Sequence, residues 1–434
     1  MQTLLVYTVK SSPRIEYVVS FLAKAIFQCD WRITNNAGDL EKHDGPVLNY
    51  SKNQIMDFVR IHPHKIMLQE KIEKKFIKVD RWKNIPVFFE TDSFATIPYD
   101  LLACTFYLIT RYEEYTVHSF DEHGRFRHQD SLAYRYGFLN RPVVDEWAYT
   151  LKDAWQRTTE TPVFNTRKFE IKPSLDIDNA FAFKHKPWTR HFGNIIKQAL
   201  TGNIEAIKTR MAVLSGKEND PYDTYGYMIK QLTGIKEKTP CFLLYSKHGK
   251  YDTNLPQNSM SFKDLIKTLG QHFDIGLHPS YQSNKDERIL LQEKKALENV
   301  TGHSIEKSRQ HFLAVRIPDT YNKLIGVGIS HDYSMGYAGT TGFRAGTCSA
   351  FPFFNLEENK STELIIHPFA YMDVTLEQYL RLNPEEAMEA ILKLADAVKK
   401  VDGTLMFIWH NESLSELGQW KGWRRVFEYA LKIT

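Results

Sequence analysis

The chain has 434 residues, 42% of them hydrophobic and 25% charged, with a formal net charge of +4 at pH 7. That length supports two or three domains with sizeable cores, and the composition is that of an ordinary globular protein. The small charge, with no basic block interleaved with aromatics, argues against nucleic-acid binding, and no apolar run approaches the ~20 residues needed to span a bilayer. The cysteines (Cys29, Cys104, Cys241, Cys348) lie far apart without a C-x-x-C pair, which predicts reduced thiols and no zinc knuckle. The start, Met1-Gln2-Thr3-Leu4-Leu5-Val6-Tyr7, lacks a basic n-region and a long apolar h-region, so a cytoplasmic protein is the expectation.

In chain order, residues 2–8 read as a strand and 14–27 as a helix, with Ile15, Val18, Val19, Leu22 and Ile26 at helical spacing. Short strand-like runs follow at 65–68 and 86–89, then an apolar helix over about 98–110. It leads into a charged-aromatic cluster, Arg111-Tyr112-Glu113-Glu114-Tyr115, and a loop, Asp121-Glu122-His123-Gly124-Arg125-Phe126. These predict a small α/β domain over residues 1–160, whose charged residues read as interface ion pairs rather than catalysts. The boundary is expected near 150–168, where a helix over 143–156 gives way to Thr158-Thr159-Glu160-Thr161-Pro162.

From 161 to 434 the pattern becomes strand then helix. Strands are predicted at 169–176, 240–245, 273–278, 309–316, 329–333, 363–369 and 404–410. Helices fall at about 223–232, 261–271, 285–299, 318–326, 384–400 and 420–431, and 185–222 reads as a helical insertion ending in a polar loop. Such alternation predicts a parallel α/β sheet, closed or nearly closed into a barrel, with an open doubly wound sheet as the alternative.

In α/β barrels the active site lies at the C-terminal ends of the strands. Asp176 and Asp178, in Ser174-Leu175-Asp176-Ile177-Asp178, end the first strand of this series. Side chains two apart in a strand share a face, so both carboxylates aim at one place, where they repel unless a cation or a shared proton intervenes. Taken alone, the pair also fits a strand end that caps the next helix. His278 ends the third strand, Arg316 the fourth and His410 the seventh, so acids and imidazoles gather at one end of different strands.

The order Ser-Leu-Asp-Ile-Asp, Gly-Leu-His-Pro-Ser, Arg-x-Pro and a late apolar-His resembles the polysaccharide deacetylase family (NodB homology, carbohydrate esterase family 4) over about 168–434. The Arg111–Tyr115 and Asp121–Phe126 motifs resemble an uncharacterised domain that precedes some deacetylases of Bacteroidetes-like bacteria. The resemblance implies a distorted (β/α)7 barrel. It also implies a divalent metal, zinc by expectation, with Asp176 as general base, Asp178 and His278 as metal ligands and His410 as general acid. The family's second metal histidine falls on Gln282, a poor zinc ligand. His311, in Ser308-Arg309-Gln310-His311, is the candidate replacement. The fourth strand reads two ways: either Arg316 orients Asp176, or Arg309 and His311 stand at the strand end and enter the site, with His311 otherwise structural.

Further candidates are Asp332, to tune His410, and Arg344, which can hold a carboxylate or phosphate bidentately or belong to a structural loop. Asp373 and Trp409 are candidates for sugar contact, Trp409 also fitting a core position; His272, His303 and His367 read as structural. The expected activity is removal of an N-acyl group, acetyl first, from an amino sugar or glycan. The alternatives are hydrolysis of another C–N bond, or a degenerate barrel that binds carbohydrate without turnover.

Overall fold

The computed structural model describes residues 2–116, 119–157, 164, 167–187, 204–235 and 238–434. Near the N-terminus, β1 (Thr3–Tyr7), β2 (Asp30–Thr34), β3 (Val47–Tyr50) and β4 (Val59–Ile61) form a parallel sheet in the order β2-β1-β3-β4. An antiparallel ribbon, β5 (Asp80–Trp82) with β6 (Ile85–Val87), follows. Ser12 caps the helix Pro13–Phe21, with Pro13 at its first position, and a π-helical segment continues it through Leu22–Phe27. The helix Leu101–Ile109 is buried at every residue and starts on Asp100, whose carboxylate accepts from Leu102 N and Ala103 N. Residues 65–68, predicted as a strand, instead form a turn, because the His64 ring accepts from Ile66 N and directs Ile66 and Met67 into the core.

The larger sheet has nine strands in the order β12-β13-β11-β10-β9-β8-β7-β15-β14. They are β7 (Glu170–Ile177), β8 (Pro240–Leu243), β9 (Asp274–Leu277), β10 (Lys307–Ser308), β11 (His331–Met335), β12 (Phe351–Asn355), β13 (Lys360–Pro368), β14 (Tyr371–Met372) and β15 (Thr404–His410). Every pairing is parallel except the β12–β13 hairpin, which the sequence reading did not anticipate. The run 360–372 pairs with β11 through β13, and Phe369 N still donates to Met335 O. Ala370 N then donates to Met406 O and β14 pairs with β15, so the sheet curls round through this one stretch of chain. A separate buried cluster contains Phe242, Tyr333, Phe369, Met406 and Ile408.

The predicted helices form within a few residues of the expected bounds, among them Met260–His272, Glu287–Thr301 and Pro384–Lys399, the last opened by an Asn383/Glu386 capping box. Of the insertion, residues 185–187 and 204–222 are described, with a helix at Ile204–Leu214, and 188–203 lie outside the described residues, as do 158–163 and 165–166 of the boundary expected near 150–168. The fourth strand is the main correction. It is only Lys307–Ser308, and 311–313 is a turn, because Phe312 and Leu313 adopt left-handed backbone (φ 59 and 53) that no strand contains.

The N-terminal unit packs on the β12–β13 hairpin, where Tyr17 and Phe106 meet Phe354 at ring separations of 4.9 and 5.3 Å. Arg111, Glu114 and Arg344 form a buried ion cluster, so the Arg344 fork is spent on Glu114 of the N-terminal unit and ties it to the larger sheet's unit. The four cysteines are buried and unbridged, and no described helix is long and apolar enough to cross a membrane.

Candidate active site

Asp176 lies in β7 and Asp178 one residue past its end; His278 follows β9, Arg309 follows β10, and His410 ends β15. All therefore sit at the C-terminal ends of parallel strands. His278 Nε2 is 3.1 Å from Asp178 Oδ1 and 3.9 Å from Asp176 Oδ2. His410 Nε2 is 3.9 Å from an oxygen of each aspartate, and His311 Nε2 is 3.5 Å from Asp178 Oδ2. One ligand atom from each of Asp178, His278 and His311 falls within 4.8 Å of the others. Gln282 is exposed and outside this group.

The far side of each imidazole fixes its chemistry. His278 Nδ1 meets the Arg309 carbonyl, His311 Nδ1 meets Asp252 Oδ1 at 3.0 Å, and His410 Nδ1 meets Asp373 Oδ1 at 2.7 Å. Carbonyls and carboxylates only accept, so each Nδ1 carries the hydrogen and each Nε2 is turned toward the aspartates. Wherever the His278 ring holds its single hydrogen on Nδ1, its Nε2 lone pair faces Asp178 Oδ1, a buried oxygen that has no hydrogen-bond donor among the described residues. Two acceptors facing at 3.1 Å are satisfied by a cation between them. Carboxylate plus two imidazoles backed by acceptors is a donor set suited to zinc or a similar ion, with partners orienting each ring.

Electrostatics point the same way. Burial alone would raise the Asp178 carboxyl, but the imidazoles of His311 and His278 outweigh it and hold it well below the usual carboxylate range. Burial opposes charge on His311, yet Asp178 and Asp252 lift it to about 9. A proton and a divalent cation thus compete for His311 Nε2, so ion uptake would release protons. Burial likewise opposes charge on His410, and the Asp373 carboxylate outweighs it and holds that imidazole well above its ordinary value.

Arg309 is fully buried. Its Nη1 donates to Asp176 Oδ1 at 2.6 Å, Nη2 to Ser174 Oγ at 2.7 Å and Nε to Tyr333 O at 3.0 Å, over the Phe242 ring. Of the two arginines, Arg309 reaches Asp176, whereas Arg316 is exposed, lies over Phe120 and is not among the residues lining the cleft. The turn at 311–314 carries the chain off the rim before Arg316 is reached. Asp332 also departs from expectation. It is buried beneath the rim, accepts from Ser308 Oγ, Ser334 N and Ser334 Oγ, and is not the partner of His410. That partner is Asp373, whose second oxygen also accepts from His410 N at 2.7 Å, so it is not turned to a sugar; Trp409 is buried in the core.

The sequence reading passed over Asp252 and Glu412. Asp252 stands in a loop with no distinguishing motif; Glu412, two residues past His410, lines the cleft, and burial pushes its carboxyl up to about 7 against the pull of His410. The cleft measures about 240 Å³. Its walls are Leu313, Ala338, Met372, Val374 and Tyr379, with Phe312 and the N-terminal unit's Arg125 at one side.

Comparison with known proteins finds a family model for residues 4–160, a family of unknown function (DUF7033). No curated protein matches the chain. Among solved structures, a Mycobacterium smegmatis protein described as a polysaccharide deacetylase is 13% identical, with a TM-score of 0.39, covering 62% of this chain and 86% of that one. A mutant of a pseudoenzyme of carbohydrate esterase family 4, with restored activity, is 8% identical, with a TM-score of 0.31, covering 61% of this chain and 64% of that one. A polysaccharide deacetylase from Bacillus cereus is 12% identical, with a TM-score of 0.26, covering 61% of this chain and 87% of that one. These are distant likenesses, and the side chains at the rim carry the functional reading.

Proposed function

We propose that the chain is a metal-dependent amide hydrolase that removes an N-acyl group, acetyl first, from an amino sugar or a glycan containing one. In this reading 161–434 is a distorted seven-stranded barrel and 1–160 a separate front domain. The observation that supports the chemistry is the set of imidazoles whose Nδ1 atoms are tied to acceptors and whose Nε2 atoms converge on Asp176 and Asp178. The sugar is supported by the motif order alone.

A divalent cation held by Asp178, His278 and His311 would polarise the amide carbonyl and acidify a water. Asp176 has one oxygen committed to Arg309, and its other oxygen faces the cluster, placed to take a proton from water. The Arg309 guanidinium orients that carboxylate. His410 carries the proton that the departing amine needs, and Asp373 keeps it charged and fixes its tautomer. The cleft is below the ~300 Å³ lower end of drug-sized pockets, which suits a small acyl group.

Chelation tests the reading. Treatment with EDTA should abolish release of acetate from N-acetylglucosamine oligomers, and zinc or cobalt should restore it to the wild type but not to Asp178→Ala. Turnover that survives chelation would sink the metal role, and no turnover by metal-loaded protein on any N-acyl sugar would sink the substrate class.

The acid assignment has its own test. Asp373→Asn removes the anion that raises the His410 pKa. An imidazole acts as an acid only below its pKa, so the alkaline limb of the kcat–pH profile should move to lower pH. An unmoved limb would separate Asp373 from the acid.

A further inference from the structure

We infer that the front unit is part of the metal centre: through Arg125 it positions the loop that presents His311. This rests on the hydrolase reading above. The loop Asp121–Phe126 is a tight turn, with Asp121 N bonded to Arg125 O and the Asp121 carboxylate accepting from His123 N, Arg125 N and Arg125 Nε. From this turn Arg125 Nη1 crosses to the barrel and donates to Phe312 O at 2.9 Å. His123 packs its ring on Phe312 at 4.8 Å.

Phe312 is the residue after His311, and both it and Leu313 hold left-handed backbone without being glycine. Such backbone persists only where surrounding contacts over-determine it. On the barrel side those contacts include Ser334 Oγ, which accepts from Gln310 N, Asp252, which meets His311 Nδ1, and Tyr251 and Tyr281, which pack on Phe312. Among the described residues, Arg125 is the side-chain donor recorded on the Phe312 carbonyl. Because the third ligand comes from this turn and not from position 282, its placement depends on whatever holds the turn. Arg125 also lines the cleft, which adds a wall from the front unit to the site.

The test is zinc affinity of the full-length protein, read by competition with a chromophoric chelator. Arg125→Met keeps the aliphatic stem and loses every donor. It should bind zinc at least about tenfold more weakly, the usual scale for losing a partner that orients a metal ligand. Arg125→Lys keeps one cationic donor and should fall between. Arg141→Ala breaks a different ion pair of the same unit, with Glu146, and should leave zinc affinity unchanged. Equal affinity in wild type and Arg125→Met overturns the inference, as does an equal loss in Arg141→Ala, which would mean general loosening of the unit. If Arg125→Met does not fold, Arg125→Lys decides, and wild-type affinity in it overturns the inference. A wild type that takes no zinc sinks the hydrolase reading, and this inference with it, whereas a zinc-binding wild type matched by Arg125→Met sinks this inference alone.

Discussion

Asp176→Asn is expected to lower kcat by about 10²–10⁴ while leaving one ion bound per chain, because a positioned general base contributes on that scale. The wild-type carboxylate divides its work: Oδ1 accepts from Arg309 Nη1 at 2.6 Å, and Oδ2 faces His278 and His410. Arginine only donates, so the asparagine oxygen stays on Arg309 and the amide NH2 turns into the cluster, where a donor stands in place of the proton acceptor. The substitution is nearly isosteric and leaves Asp178, His278 and His311 untouched, so metal content should be preserved. Single-turnover kinetics with metal analysis on the same sample separates the two effects. Turnover within a few-fold of wild type would remove Asp176 from the mechanism, and loss of metal would make it a ligand.

How far this arrangement was legible in the sequence depends on what kind of signal each residue leaves. Asp176 and Asp178 were legible as a pair because a strand has period two, so carboxylates at that spacing share a face, and the imidazoles at later strand ends weighed against a simple helix cap. The helices that follow the strands of the larger sheet were legible from their apolar spacing and their caps. The fourth strand was not. It has two residues, and the left-handed Phe312 and Leu313 that turn the chain just beyond it carry no glycine to announce them. Arg309 and Arg316 therefore competed for one role, and only the turn decides between them. The partner of His410 was missed for another reason. Asp332 and Asp373 both stand near strand ends, but β14 lies beside β15 whereas β11 does not, and strand order is not written in local sequence. Asp252 left no signal, since nothing local marks a loop aspartate that will meet a distant imidazole.

Arg344 leads to the largest expected stability effect. Its Nε and Nη2 form a two-pronged bond to Glu114 at 2.9 and 2.6 Å, and Arg111 Nε reaches the same carboxylate at 2.7 Å. Arg111 also donates to the Arg344 carbonyl and to Glu113, so two guanidinium and two carboxylate groups balance in a region closed to water. Glu114→Ala leaves the Arg344 fork and one Arg111 donor buried without their acceptor. Breaking such a pair by removing one partner costs about 3–5 kcal/mol. Lys393→Ala breaks a pair whose side chains are 73% and 66% exposed, and should change stability by only about 0–1 kcal/mol. Burial alone would raise the Glu114 carboxyl, but the two arginines outweigh it and hold it below its ordinary value. Its contribution is therefore present above the unfolded pKa of about 4.3 and fades as pH falls through the folded value. The apparent urea midpoint should drop sharply in Glu114→Ala at pH 7, with the gap to wild type narrowing in acid. A gap that persists undiminished into acid would mean that the ion cluster does not hold the two units together through charge.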